Sequence, residues 1–228
     1  MKKILSTLLL TCLTLYGYSQ CDYYAIENGS EWEMETYNAK GKLGTRNIQK
    51  VTSYNSMAGG FKATIHSIAQ NDKGKELMKG DLEMKCENGT LYMDMRNFVT
   101  EDQFKALGSY ETKVESSSLE IPSKLSVGQS LKDGSITVTA VGAPMTMQMS
   151  VSITDRKVEA KESMTTPAGT FECFVITSKM TMQNKMGINM TFNFTSKEWV
   201  ASKVGTVRSE SYDKNGKLNG YTILTKRK

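Results

Sequence analysis

Met145, Met147 and Met149 occupy alternate positions of PMTMQMSV (144–151), and KMTMQNKMGINM (179–190) adds Met180, Met182, Met186 and Met190. Alternate side chains of a strand share one face, so each run aims a row of thioethers the same way. Three chemistries fit such a row. Thioethers are soft donors that suit Cu(I). Unbranched, polarizable side chains also make a deformable wall for an apolar ligand, and they fill irregular gaps in a core. The same face continues into Val151 and Ile153, and the neighbouring runs bring Phe174, Ile176, Phe192 and Phe194. Copper sites usually add a stronger donor, and Cys173 is out of phase with Phe174 and Ile176. We read the methionines mainly as core. Met145, Met147, Met149, Met180, Met182 and Met190, with those four neighbours, are the candidate lining of a ligand-binding face.

Other reactive residues are sparse. The chain has one histidine, His66, on the polar side of an alternating run, where an ordinary surface role is expected. A single histidine excludes a zinc site built on several of them, and no nucleophile elbow accompanies it. Glu31, Glu33 and Glu35 ride one strand face and read as a solvated stripe; a glycosidase pair needs two carboxylates converging in a cleft. No phosphate-binding or dinucleotide fingerprint occurs, and Gly59-Gly60 is a turn. We expect no enzyme and no cofactor. The net charge of +5 is spread along the chain, and the one dense basic run, Lys226-Arg227-Lys228, reads as a solvated tail, so no nucleic-acid partner is expected.

The elements that must position these residues have a period of two. Trp32, Met34 and Thr36 alternate with glutamates; Phe61, Ala63 and Ile65 with Lys62, Thr64 and His66; Leu91, Met93 and Met95 with Thr90, Tyr92 and Asp94. Ile188, Met190, Phe192 and Phe194 alternate with Asn and Thr in the same way. Such alternation marks antiparallel sheet with one wet face. Turn signals separate the runs, among them Asn-Ala-Lys-Gly-Lys (38–42), Asn-Asp-Lys-Gly-Lys (71–75) and Asp-Lys-Asn-Gly-Lys (213–217). One short helix is expected near 101–107, from the capping box Thr100-Glu-Asp-Gln103, with Phe104 and Leu107 apolar and Gly108 as the stop. The stretch 115–122 reads as a joint between halves 20–115 and 118–228 that share a core. The expectation is an all-β fold, a highly curved antiparallel sheet closing as a β-roll or half-barrel.

The first nineteen residues have a basic start (Lys2, Lys3), an apolar run from Ile4 to Leu15 and the small residues Gly17 and Ser19. That is the layout of a cleaved signal peptide, too short to span a bilayer; a single β-rich domain over 20–228 follows, and no later run is long enough for a transmembrane helix. We expect a periplasmic or extracellular protein. Gln20 is bulky and polar where a lipoprotein signal wants a small residue before Cys21. Export leaves Cys21, Cys86 and Cys173, an odd set that suggests one disulfide and one buried thiol. Connectivity does not follow from sequence; Cys21–Cys86 is the expected pair because it would staple the N-terminus.

IPSKLSVGQSLKDGSITVT (121–139), TTPAGTFECFVIT (165–177), EWVASKVGTVRSE (198–210) and YDKNGKLNGYTIL (212–224) together resemble TapB-like exported bacterial proteins. These are related to a domain family of unknown function with a spiral β-roll or half-barrel. Cys21, KGKLGT (40–45) and KCENGTLYMD (85–94) extend the resemblance over nearly the whole chain. After Trp199, Val200 and Ser202-Lys203 replace the aromatic and Pro-Gly of the family pattern. The resemblance implies a fold and a compartment, with no activity or site residues. The functional expectation is an exported, non-catalytic module that binds a lipid or peptide on a Met/Phe-lined concave face. The alternative is a structural module with a filled core whose edges or loops meet an envelope protein, and Met-based Cu(I) binding stands third.

Overall fold

The computed structural model describes Cys21, Tyr23, Tyr24, residues 26–99, Leu107 and residues 110–228. Thirteen strands form one antiparallel sheet: β1 (Glu31–Asn38), β2 (Leu43–Met57), β3 (Gly60–Asn71), β4 (Glu76–Glu87), β5 (Thr90–Asp94), β6 (Glu111–Ser116), β7 (Ser118–Pro122), β8 (Gly134–Val141), β9 (Met147–Thr166), β10 (Gly169–Met186), β11 (Ile188–Ala201), β12 (Gly205–Tyr212) and β13 (Leu218–Arg227). Their spatial order is β6-β8-β9-β10-β11-β12-β13-β1-β2-β3-β4-β5-β7. The all-β, strongly curved architecture read from the alternation is therefore present. Among the described residues the only helical element is a short 3-10 turn, Met95–Phe98. The expected helix at 101–107 and the signal segment at 1–19 lie outside the described residues, apart from Leu107, which is fully buried.

The two ends of the strand order are consecutive in the chain. Residues 111–116 pair with β8, and residues 118–122 pair with β5. The backbone hands over at Ser117, whose N–H donates to Ser135 O at 2.8 Å while its hydroxyl oxygen accepts from Ser135 N–H at 2.9 Å. One run of the chain thus links both edges and nearly closes the sheet. Arg156 fastens this seam: it is 6% exposed, and its guanidinium donates to Glu120 O at 3.0 Å and Lys132 O at 2.6 Å. Register slips bend the long strands, as between Val51 and Ser53 on β2 and between Thr177 and Lys179 on β10; each extra residue kinks its strand and adds twist.

The hairpin signals work by one repeated device. Asn38 Oδ1 accepts from the N–H groups of Lys40 and Lys42, Asn71 Oδ1 from Lys73 and Lys75, and Asp213 Oδ1 from Asn215 and Lys217. Each side chain mimics a backbone turn and fixes the strand register on either side of it. Gly60 has a different reason: a Cβ there would stand 1.9 Å from Cys86 O, so β3 could not approach β4 at the strand that carries the disulfide.

Burial falls into three clusters. The first joins Val51, Phe61, Ile65 and Cys86 from the first half to Val158, Ile176 and Val200 from the second. The second gathers Met95, Leu107, Leu119, Ile136, Val138, Met149, Val151 and Ile153 around the seam. The third holds Cys173, Val175, Trp199, Ala201, Val207 and Leu224. Successive residues of β10 thus bury opposite faces: Val175 enters the third cluster and Ile176 the first. Cys21 and Cys86 form the expected disulfide, and Cys173 is the free, buried thiol. Burial pushes the Cys173 thiol up to about 11, which keeps it protonated and inert.

Candidate functional site

The methionine face is present, but it divides. Phe174 and Ile176 belong to the first cluster, with Phe174 edge-on to Tyr23 at 6.1 Å. Met149 is a buried member of the second cluster, against which Met147, Met180 and Met182 pack half-buried. A short hydrogen bond between the hydroxyls of Ser178 and Ser196, 2.7 Å, sits between the two sets on β10 and β11. Pairing continues the face across the strands: Met180 lies between Ile153 and Phe194, and Met182 between Val151 and Phe192. Towards the β10–β11 tip the face leaves the core. Met190 is 46% exposed and Phe192 50%, Phe194 is half-buried, and Met145 stands in a bend before β9 at 57%. Met145, Met190 and Phe192 thus depart from the core expected for the methionine rows: Met145 precedes its strand, and β11 outruns β12, which pairs with it only from Thr195. Within this face Asn184 Oδ1 is buried without a hydrogen-bond partner.

A concavity lies elsewhere, and the alternation did not reveal it. β5 pairs with β4 only over Met84–Glu87, then turns away at Asp94 into the 3-10 helix. Asp94 caps that turn by accepting from Arg96 N–H, and it also takes the Arg96 guanidinium. This pairing holds the Asp94 carboxyl below the usual carboxylate range. Among the described residues no strand fills the lane beside residues 76–83 of β4, which borders a groove of about 900 Å³. Ala69, Met78, Leu82 and Val99 supply apolar lining, and Lys79 and Arg96 stand beside acids. Glu76, Asp81, Glu83 and Asp94 outnumber those two bases. Met78 is half exposed and Leu77 slightly more, and among the described residues no backbone bond outside the β3 ladder uses the free edge of 76–83. None of the ten methionine-face candidates borders this groove. The signal that could have found it is a mismatch of lengths: twelve residues in β4 against five in β5.

Other polar groups pair with their neighbours. His66 Nδ1 lies 2.7 Å from Asp81 Oδ1 on the exposed face. Glu33 and Glu35 are not a solvated stripe; their side chains are 13% exposed and share Arg46, at 3.2 and 2.7 Å. Tyr37 donates to Glu35 at 2.6 Å, and its ring stacks on Tyr221 at 5.1 Å, which in turn carries the Arg208 guanidinium at 4.6 Å. Glu198 has its carboxyl pushed up by desolvation, against the pull of Arg156. Among the described residues no group of three or more His, Cys, Asp or Glu could hold a metal ion, and no helix is long and apolar enough to cross a membrane.

Comparison places this geometry among known proteins. The family described as DUF3108-like matches residues 27–224. No curated protein matches the chain. A crystal structure from Parabacteroides distasonis, described as a proposed lipoprotein, is similar with a TM-score of 0.73 at 24% identity, covering 90% of this chain and 98% of that one. A proposed exported protein with YmcC-like fold from Bacteroides fragilis gives 0.71 at 22% identity, with the same coverages. At these identities the likeness is one of fold.

Proposed function

The chain belongs to the DUF3108-like family, and from that premise we propose that it is an exported, non-catalytic binding module of the cell envelope. Its ligand is an extended peptide segment laid along the free edge of β4. The observation that carries this reading is the strand lane beside β4: a groove of about 900 Å³ along a backbone edge that no described residue pairs. Strand addition satisfies that edge with main-chain hydrogen bonds, and alternate side chains of the guest find pockets. Here every second guest residue faces Met78, Leu82 and Val99, so apolar residues belong there. The acid excess on the lips favours Lys or Arg at the positions between. A fatty acid would meet the apolar floor but would set its carboxylate against those acids, which disfavours the lipid alternative.

Export rests on the basic and apolar layout of residues 1–19 and on the Cys21–Cys86 disulfide, which suits an oxidising compartment. The disulfide also uses the Cys21 sulfur that a lipid thioether would need, so we favour a soluble periplasmic or extracellular form over an anchored one. The test is fluorescence anisotropy with a labelled, extended peptide of alternating apolar and basic residues. Met78→Asp, at an exposed position, removes one apolar contact and should weaken binding by about tenfold or more. Equal affinity in the variant, or preference for an acidic peptide of the same pattern, would overturn the assignment.

A further inference from the structure

The tip of the β10–β11 hairpin offers a second free edge of another character. On β11, residues 188–194 pair with β10 on one side, and their other side is open until β12 begins opposite Thr195. Natural proteins blunt such edges with charge or proline. The free length of β4 carries Glu76, Lys79, Asp81 and Glu83, and β6 carries Glu111, Lys113 and Glu115. Residues 188–194, Ile-Asn-Met-Thr-Phe-Asn-Phe, carry none, and Ile188 is 75% exposed, Met190 46% and Phe192 50%. This segment is also self-complementary. An antiparallel pair about a two-fold axis at Thr191 sets Ile188 beside Phe194 of the second copy, Met190 beside Phe192, and Asn189 beside Asn193. All the apolar side chains then fall on one face and all the amides on the other. Among the described residues no strand pairs with residues 188–194 on this side, and in this register the second copy's turn at Gly187 comes up against Tyr212, where β12 begins to pair.

We propose that this edge is a homodimer interface, in which two copies join their sheets through residues 188–194. The occupant is a second copy, because the pattern matches itself in apolar contact, amide contact and absence of charge. The contact is small, so the dimer forms in a concentration-dependent way, at the weak end of specific interfaces. The self-pairing also keeps every inner-face side chain on the side it already occupies, since rotation about an axis normal to the sheet does not exchange faces.

Sedimentation velocity over a concentration series tests this on the disulfide-intact protein. The wild type should shift from monomer to dimer as concentration rises. Asn189→Lys with Asn193→Lys sets like charges opposite each other twice and should leave a monomer with unchanged circular dichroism; Asn193 gives up only an exposed hydrogen bond from Thr181. Asn189→Glu with Asn193→Glu should also be monomeric, and mixing the lysine and glutamate proteins should restore a heterodimer. Peptide binding at the β4 groove should persist in both variants, which separates this result from failure of the groove assignment. A wild type that stays monomeric up to its solubility limit, a dimer untouched by the lysine pair, or no recovery on mixing would overturn the proposal.

Discussion

Truncating the methionines of the 145–149 run should give a graded series that reads out where the sheet leaves its core. Met149 is 5% exposed, Met147 is half-buried, and Met145 is 57% exposed in a bend. Met149→Ala deletes the side chain beyond Cβ from among Val138, Val151 and other members of a packed cluster. The lost transfer energy and the residual cavity together cost about 2–5 kcal/mol. Met147→Ala loses only its inward half, about 1–2 kcal/mol. Met145→Ala should stay within about 0.5 kcal/mol, as surface changes do. Met149→Leu nearly conserves volume and should cost under about 1.5 kcal/mol. The assay is urea unfolding followed by tryptophan fluorescence, where the Met149→Ala midpoint should fall by roughly 1 M at an unchanged slope. Equal losses at the three positions would refute the gradient, and so would a larger loss at Met145 than at Met149.

Removing the disulfide by Cys86→Ala should cost about 4 kcal/mol in the chain-entropy estimate for a bridge spanning 65 residues, read by denaturant unfolding under non-reducing conditions; a loss under about 1 kcal/mol would contradict it. Arg156→Leu should unpair the Glu120 and Lys132 carbonyls and leave Glu198 without its opposing charge, a loss of about 2–5 kcal/mol, and a neutral variant would show that the seam does not need the guanidinium. Gly60→Ala should destabilise by about 1–3 kcal/mol, through a Cβ that meets Cys86 O at 1.9 Å, and hydrogen exchange should show the damage first in β3 and β4. The Tyr37 hydroxyl and Arg46 hold the Glu35 carboxyl below its usual range. Its contribution is therefore complete above the ordinary carboxylate range and is lost as pH falls through the depressed folded value. Glu35→Gln should thus be less stable than wild type at neutral pH and converge with it in acid; a constant gap at every pH would contradict this.

How much of this was legible depends on whether the information was local. Alternation is local, and it gave the strand faces: Phe61, Ala63 and Ile65 are all buried, and Cys173 does face away from Phe174 and Ile176. The Asn-x-Lys-Gly-Lys turns are local too, and their hydrogen bonds match the expectation that one hairpin device recurs. Cys21–Cys86, expected because it staples the N-terminus, is the disulfide that the fold forms. What alternation could not carry is the length of each neighbour. Met145, Met190 and Phe192 have the right phase for a core, yet Met145 lies in the bend between β8 and β9, and β12 ends before covering Met190 and Phe192. The β4 groove is the same kind of fact, because it arises where β5 stops and not from any residue in the lane. Glu33 and Glu35 looked like solvent-facing charge since nothing in β1 announces Arg46 beside them or Tyr221 stacked on Tyr37. Arg156, which fastens the seam, gave no signal because its acceptors are backbone carbonyls remote in the sequence.

The proposed binding mode requires residues 76–83 to take up a guest strand. Hydrogen–deuterium exchange of the disulfide-intact protein, with and without the alternating apolar and basic peptide, reads this amide by amide. Those N–H groups of β4 that point away from β3 should slow markedly on peptide addition, while the amides of 188–194 should not respond to it. Peptide binding with no added protection along 76–83, or protection appearing on the methionine face instead, would contradict the account.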